Sequence, residues 1–98
     1  MADEALPSID FATFIISMNH SALIQLGLAP HPDTNAIEAN LSMARETIDL
    51  LGLLEEKTKG NLTGEEEHLL HQVLFDLRMR CVEQEKALKA HSTGKTEK

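Results

Sequence analysis

The chain has 98 residues, 42% of them hydrophobic, with a net charge of −7, one cysteine, three phenylalanines, and neither tryptophan nor tyrosine. That length and composition allow one modest domain with an aliphatic core; they exclude a disordered chain, and they exclude the aromatic platforms on which single-stranded nucleic acids are stacked. Residues 1–82 hold five Lys/Arg against thirteen Asp/Glu, whereas residues 83–98 hold four Lys against three Glu. The body therefore repels a phosphate backbone or an anionic lipid surface, so no nucleic acid and no membrane is expected as a partner.

The opening Met1-Ala2-Asp3-Glu4 lacks the basic region of a signal peptide. The longest apolar run, Phe11 to Met18, is broken by Thr13 and Ser17, which is too short and too polar for a membrane span. The expected location is cytoplasmic. A single Cys81 fits that reducing compartment, since it has no internal disulfide partner, and its place on a helical core face predicts a packed thiol.

The first helix is predicted over about residues 8–27, beginning at Ser8 or Asp10 after Pro7 and ending at Gly27, which suits a left-handed cap. Ala29-Pro30-His31-Pro32-Asp33 follows as a loop, because each proline restricts itself and its predecessor. The second helix is predicted over about residues 35–57, capped by Asp33 or Asn35, with Glu38 at capping-box spacing from Asn35. Lys57, Lys59 and Gly60 form its stop, and Thr63 with Glu66 forms a second capping box. Glu65, Glu66 and Glu67 then favour the positive end of a third helix over about residues 64–89. The short connection predicts an antiparallel hairpin of helices two and three. Residues 90–98 read as a flexible polar tail.

Projected at helical period, Phe11, Phe14, Ile15, Met18, Leu23 and Leu26 belong to an apolar arc that covers more than half the circumference of helix one. No Asp, Glu, Lys or Arg lies between Asp10 and Asp33, so this helix calls for cover on two sides. Asn19 falls within the apolar arc, where an unpaired amide costs about 1 to 3 kcal/mol. It has two readings, a hydrogen bond to a loop carbonyl or a polar residue that sets register between subunits.

Helix two carries a stripe of Ile37, Leu41, Ala44, Ile48 and Leu51, widened by Met43, Leu50 and Leu54. Helix three carries a core stripe of Leu70, Val73, Leu74, Leu77, Cys81 and Leu88, with Phe75, Met79 and Val82 as a second ridge on its opposite side. Burying one such side chain is worth about 1.5 to 3 kcal/mol, so a ridge left in water forgoes stability that association recovers. The expected interface is Phe11, Phe14, Ile15, Met18 and Asn19 with Phe75, Met79 and Val82, in a homo-oligomer of two or more copies.

The densest titratable cluster is Glu65, Glu67, His68 and His71, whose spacings of three and four place possible metal donors on adjacent helix positions. A bundle metal site also needs carboxylates from other helices, and a solvated acidic helix start explains the same residues. No phosphate loop, nucleophile elbow or triad context is present, so no catalytic residue and no cofactor is assigned.

The segment Ile48-Asp49-Leu50-Leu51, the run Leu53-Leu54-Glu55-Glu56-Lys57-Thr58-Lys59-Gly60-Asn61-Leu62-Thr63 and the later Asp76-Leu77-Arg78-Met79-Arg80 resemble the bacterial domain of unknown function family 1844. Phe14, Ile15, Leu26-Gly27 and Pro30 extend the resemblance, which covers roughly residues 10 to 83. It implies a small cytoplasmic bacterial helical protein and carries over no activity, cofactor or substrate. The reading is an all-α unit of three helices in a single domain over residues 1–89, with helix one packed across the hairpin and at an oligomer interface. The expected function is a non-enzymatic protein-interaction or scaffold module; a metal or small-ligand binding protein using the Glu/His cluster is the alternative.

Overall fold

The computed structural model describes residues 9–96, with side chains as far as residue 89. The described residues form three helices, α1 (Phe11–Gln25), α2 (Leu41–Lys57) and α3 (Gly64–Thr96), and no strand; each helix packs against the other two. Their contact buries Ile15, Ala22 and Leu26 of the α1 segment, Ala44, Ile48 and Leu51 of α2, and Leu70, Val73, Leu74, Leu77 and Cys81 of α3. These positions recur at three- and four-residue spacing, which is why one stripe of each helix meets at a common, wholly aliphatic core. Phe11, Met18, Leu23, Leu41 and Leu54 pack half-buried around it.

Local chemistry sets most helix ends. Asp10 caps α1, its carboxylate accepting from the Thr13 amide at 2.8 Å. At the other end Gly27 takes φ +80°, and the Leu28 and Gly27 amides donate to the Leu23 and Ile24 carbonyls at 2.9 and 3.0 Å, a Schellman closure. Before α3, the Glu66 amide donates to the Thr63 hydroxyl and the Thr63 amide donates back to the Glu66 carboxylate, at 3.1 and 2.9 Å. This is the capping box expected from the sequence.

Three expectations are corrected. Helix α2 begins at Leu41, six residues after the Asn35 signal, because Asn35 takes φ +60° and the chain turns back there, with Asn35 donating to the His31 carbonyl and His31 to that of Ala36. Asn40 is the actual cap, accepting from the Met43 amide at 3.1 Å, and Ile37 stands exposed in the loop, outside the core stripe. Helix α3 continues past Lys89 to Thr96, so residues 90–96 are helical backbone where a flexible tail is expected from the sequence; the polar composition keeps this segment out of a core without ending the helix. Leu88, expected in the core stripe, is exposed. At 33 residues α3 is about twice as long as α1 or α2, and neither can cover its far end. The acidic opening Met1-Ala2-Asp3-Glu4 and the Lys95 and Lys98 side chains lie outside the described residues.

Four contacts gather on the C-terminal end of α1. The Gln25 carbonyl accepts from the Asn40 amide at 2.7 Å, and the Gln25 side chain accepts from the Thr47 hydroxyl of α2 at 2.7 Å. Gln84 of α3 donates to the Leu26 carbonyl at 2.7 Å, and the Schellman closure completes the set. Thr47 is thereby buried with its hydroxyl satisfied.

Candidate functional site

Of the eight residues expected at an interface, Ile15 is fully buried in the chain's own core, so it presents nothing to a partner. Phe11 and Met18 are half-buried against that core. The α3 ridge is different: Phe75, Met79 and Val82 are 67%, 46% and 48% exposed, whereas Leu70, Leu74 and Leu77 of the same helix are buried. They line a shallow depression beside α2 together with Glu55, His71, Arg78 and Lys86. Phe75 also borders a second depression with Asn19 of α1.

Asn19 Oδ1 is buried with no hydrogen-bond partner among the described residues. Leu69, Gln72, Val73 and Asp76 line the same depression, and none of them donates a hydrogen bond to this oxygen. Its unpaired state costs about 1 to 3 kcal/mol within the single chain.

Sequence reasoning missed part of a further apolar surface. Phe14 and Met18 of α1 face Leu50, Leu53 and Leu54 of α2 across an open groove. Leu50 and Leu53 are 55% and 50% exposed. The signal was available: Leu50, Leu51, Leu53 and Leu54 are four leucines in five residues, more than one buried stripe accommodates.

The Glu/His cluster does not converge. Glu65, Glu67 and His68 stand exposed on the first turns of α3, and His71 turns instead to Glu55 of α2, with Nε2 2.8 Å from Oε2. Among the described residues no group of three or more His, Cys, Asp or Glu lies close enough to hold a metal ion. The helical spacing of three and four placed these residues on one surface, but the neighbouring helix contributes one carboxylate to one histidine, which makes an interhelical pair.

The remaining titratable contacts are structural. The Glu85 carboxylate hydrogen-bonded to Arg45 pushes the guanidinium pKa up and links α2 to α3. Burial, and then the nearby Glu85 charge, raise the Cys81 pKa, so the thiol stays protonated and is a poor nucleophile, in keeping with a packed core position. The Thr13 amide holds the Asp10 carboxyl below its usual value. No helix among the described residues is long and apolar enough to cross a membrane.

Three helices joined by a Gly27 cap, a proline-containing loop and a Thr63–Glu66 box thus carry exposed leucine and phenylalanine surfaces. No curated protein and no solved structure matches the chain. Residues 8–83 match the family described as "Domain of unknown function (DUF1844)", a span that takes in all of α1 and α2, both connections and the Phe75, Met79 and Val82 ridge, and the chain belongs to that family.

Proposed function

We propose that this protein is a non-enzymatic protein-interaction module that acts as a homo-oligomer, most simply a two-fold dimer, through the α3 ridge. The observation that carries the reading is the exposure of Phe75, Met79 and Val82 at spacings of four and three on the face of α3 opposite its core stripe. In this reading α2 and α3 form an antiparallel hairpin with α1 lying across it, and the ridge of one copy meets the ridge of another. Arg78 and Lys86 stand beside Glu55 and Glu83 in the same depression, so two copies related by a two-fold axis can set opposite charges against each other. Asn19, beside Phe75, lies close enough for a modest rearrangement of its amide to place it at the edge of such an interface. The protonated, buried Cys81 suits a bacterial cytoplasm.

Multi-angle light scattering tests this against the monomer mass of 10.9 kDa. The wild type is expected at twice that mass or more, and Phe75→Glu at the monomer mass with its helical circular dichroism retained, since Phe75 makes little use of the core. A monomeric wild type across the micromolar range sinks the proposal.

A further inference from the structure

The groove between α1 and α2 is a second surface, with none of its lining shared with the ridge depression. Phe14 and Met18 form one wall and Leu50, Leu53 and Leu54 the other, enclosing about 300 Å³ that is open along one side, with Lys57 at its end. That is the low end of the range for small-molecule pockets, and the floor is almost wholly carbon, with few polar groups to orient a metabolite. Apolar side chains of a helix need no such groups. From Leu50 to Lys57 the groove runs along eight residues of α2, about 10 Å from first to last, which is two turns of an opposing helix.

The edges of the groove supply the chemistry of the occupant. Asp10, the extended N-cap residue of α1, lies four residues before Phe14, and on α2 Glu46 precedes Leu50 and Asp49 precedes Leu53 by one turn, so these last two carboxylates each share a helix face with a groove residue. All three are exposed, and none is in an ion pair among the described residues. Arg45, the cation adjacent to Glu46, is drawn away to Glu85 of α3. Lys57 is the only charged residue in the lining of the groove, and Asp10, Glu46 and Asp49, each four residues from a lining side chain, outnumber it, whereas the ridge depression sets two carboxylates beside two cations.

We propose that this groove receives a basic amphipathic helix of another protein, with apolar residues at i and i+3 or i+4 seated between Phe14 and Leu53 and with Lys or Arg facing Asp10, Glu46 and Asp49. Burial of the apolar anchors supplies the affinity, and the opposed charges orient the helix and speed its encounter. The inference is independent of self-association at the ridge.

Fluorescence anisotropy tests it with a labelled synthetic Lys/Leu helix of about fourteen residues, compared with a scrambled peptide of the same composition and with a Glu/Leu counterpart. The wild type is expected to bind the Lys/Leu helix in the micromolar range, and the scrambled and acidic peptides about tenfold or more weakly. Leu53→Glu is expected to weaken binding about tenfold, and Asp49→Lys severalfold with the difference shrinking at high salt. Phe75→Glu, on the separate ridge, leaves binding unchanged. Should Leu53→Glu not fold, as judged by circular dichroism, Asp49→Lys and its salt dependence decide alone. Equal binding of the scrambled peptide, no binding by the wild type, or binding untouched by both groove variants overturns the proposal. A fall in the light-scattering mass on Leu53→Glu overturns it too, by showing that a second copy fills the groove. None of these outcomes depends on the effect of Phe75→Glu on mass, which tests the ridge.

Discussion

The two connections between helices differ in where their instructions lie. Residues 58–63 are closed almost entirely from within: the Thr58 hydroxyl donates to the Leu54 carbonyl at 2.7 Å, Gly60 takes φ +86°, and Thr63 and Glu66 cap each other. Residues 26–40 are closed between their two ends, by the Asn40 amide on the Gln25 carbonyl and by the close approach of Gly27 to Ala39, and are held from a distant helix by Gln84 on the Leu26 carbonyl. A connection whose hydrogen-bond partners lie within a few residues can be read along the sequence, and one that takes them from a dozen or more residues away cannot. The difference bears on function because the locally closed connection leads into the helix that bears the ridge, whereas the borrowed one anchors α1, which forms one wall of the apolar groove.

The two glycines give the sharpest way to break this contrast. Both have positive φ, which costs a residue with a side chain about 1 to 2 kcal/mol. A Cβ at Gly60 meets nothing within 4 Å, whereas one at Gly27 lies 3.0 Å from the Ala39 Cβ, close enough that the loop must shift. Gly27→Ala is therefore expected to lose more stability than Gly60→Ala, about 2 to 3 kcal/mol against about 1 kcal/mol, read as the difference in midpoint of urea unfolding. Equal losses show that Ala39 yields freely and that the longer connection is no more tied to its surroundings than the shorter.

A pair of hydrogen-bond deletions tests the same contrast at smaller amplitude. Thr63→Ala removes the α3 cap and Gln84→Ala removes the donor to Leu26, each at about 1 kcal/mol. The energies are similar, but the location of the response is not. Hydrogen exchange is expected to quicken only at the first turn of α3 in Thr63→Ala, whereas Gln84→Ala, some twenty residues away along α3, quickens the amides around Leu26 to Asn40. Exchange in Gln84→Ala that is confined to α3 contradicts the borrowed character of the loop.

The same division explains what could be read from the sequence. Asp10, Gly27, Gly60 and the Thr63–Glu66 box act within four residues of themselves, and each stands where composition and spacing place it. The core stripe of α3 from Leu70 to Cys81 was equally legible, since period alone determines which side chains share a face. The start of α2 was not. Asn35 with Glu38 and Asn40 alone are both acceptable caps, and the choice between them falls to the Gln25 carbonyl, fifteen residues upstream. The apolar groove was half legible: Phe14 and Met18 stand out in a helix without charge, but the exposure of Leu50 and Leu53 depends on how α1 and α2 are rotated against each other, which no period specifies. His71 likewise met Glu55 of another helix, where spacing along α3 had pointed to its own neighbours.

The smallest expected effect concerns a helix end that belongs to neither connection and so calibrates both. Asp10 caps α1 with a charged acceptor, and its folded pKa lies below the usual value because the Thr13 amide favours the carboxylate. A depressed folded pKa means that the stabilisation is complete above the unfolded pKa of about 3.9 and is lost as pH falls through the lower folded value. In an NMR titration the Thr13 amide shift is expected to move with a midpoint below that of an unperturbed aspartate. The Asn40 amide, whose acceptor is the Gln25 carbonyl and does not titrate, is expected to hold its shift over the same range while the fold persists. If both amides move together, acid is opening α1 from its C-terminal end as well, and the contacts borrowed from α2 and α3 are weaker than the local cap.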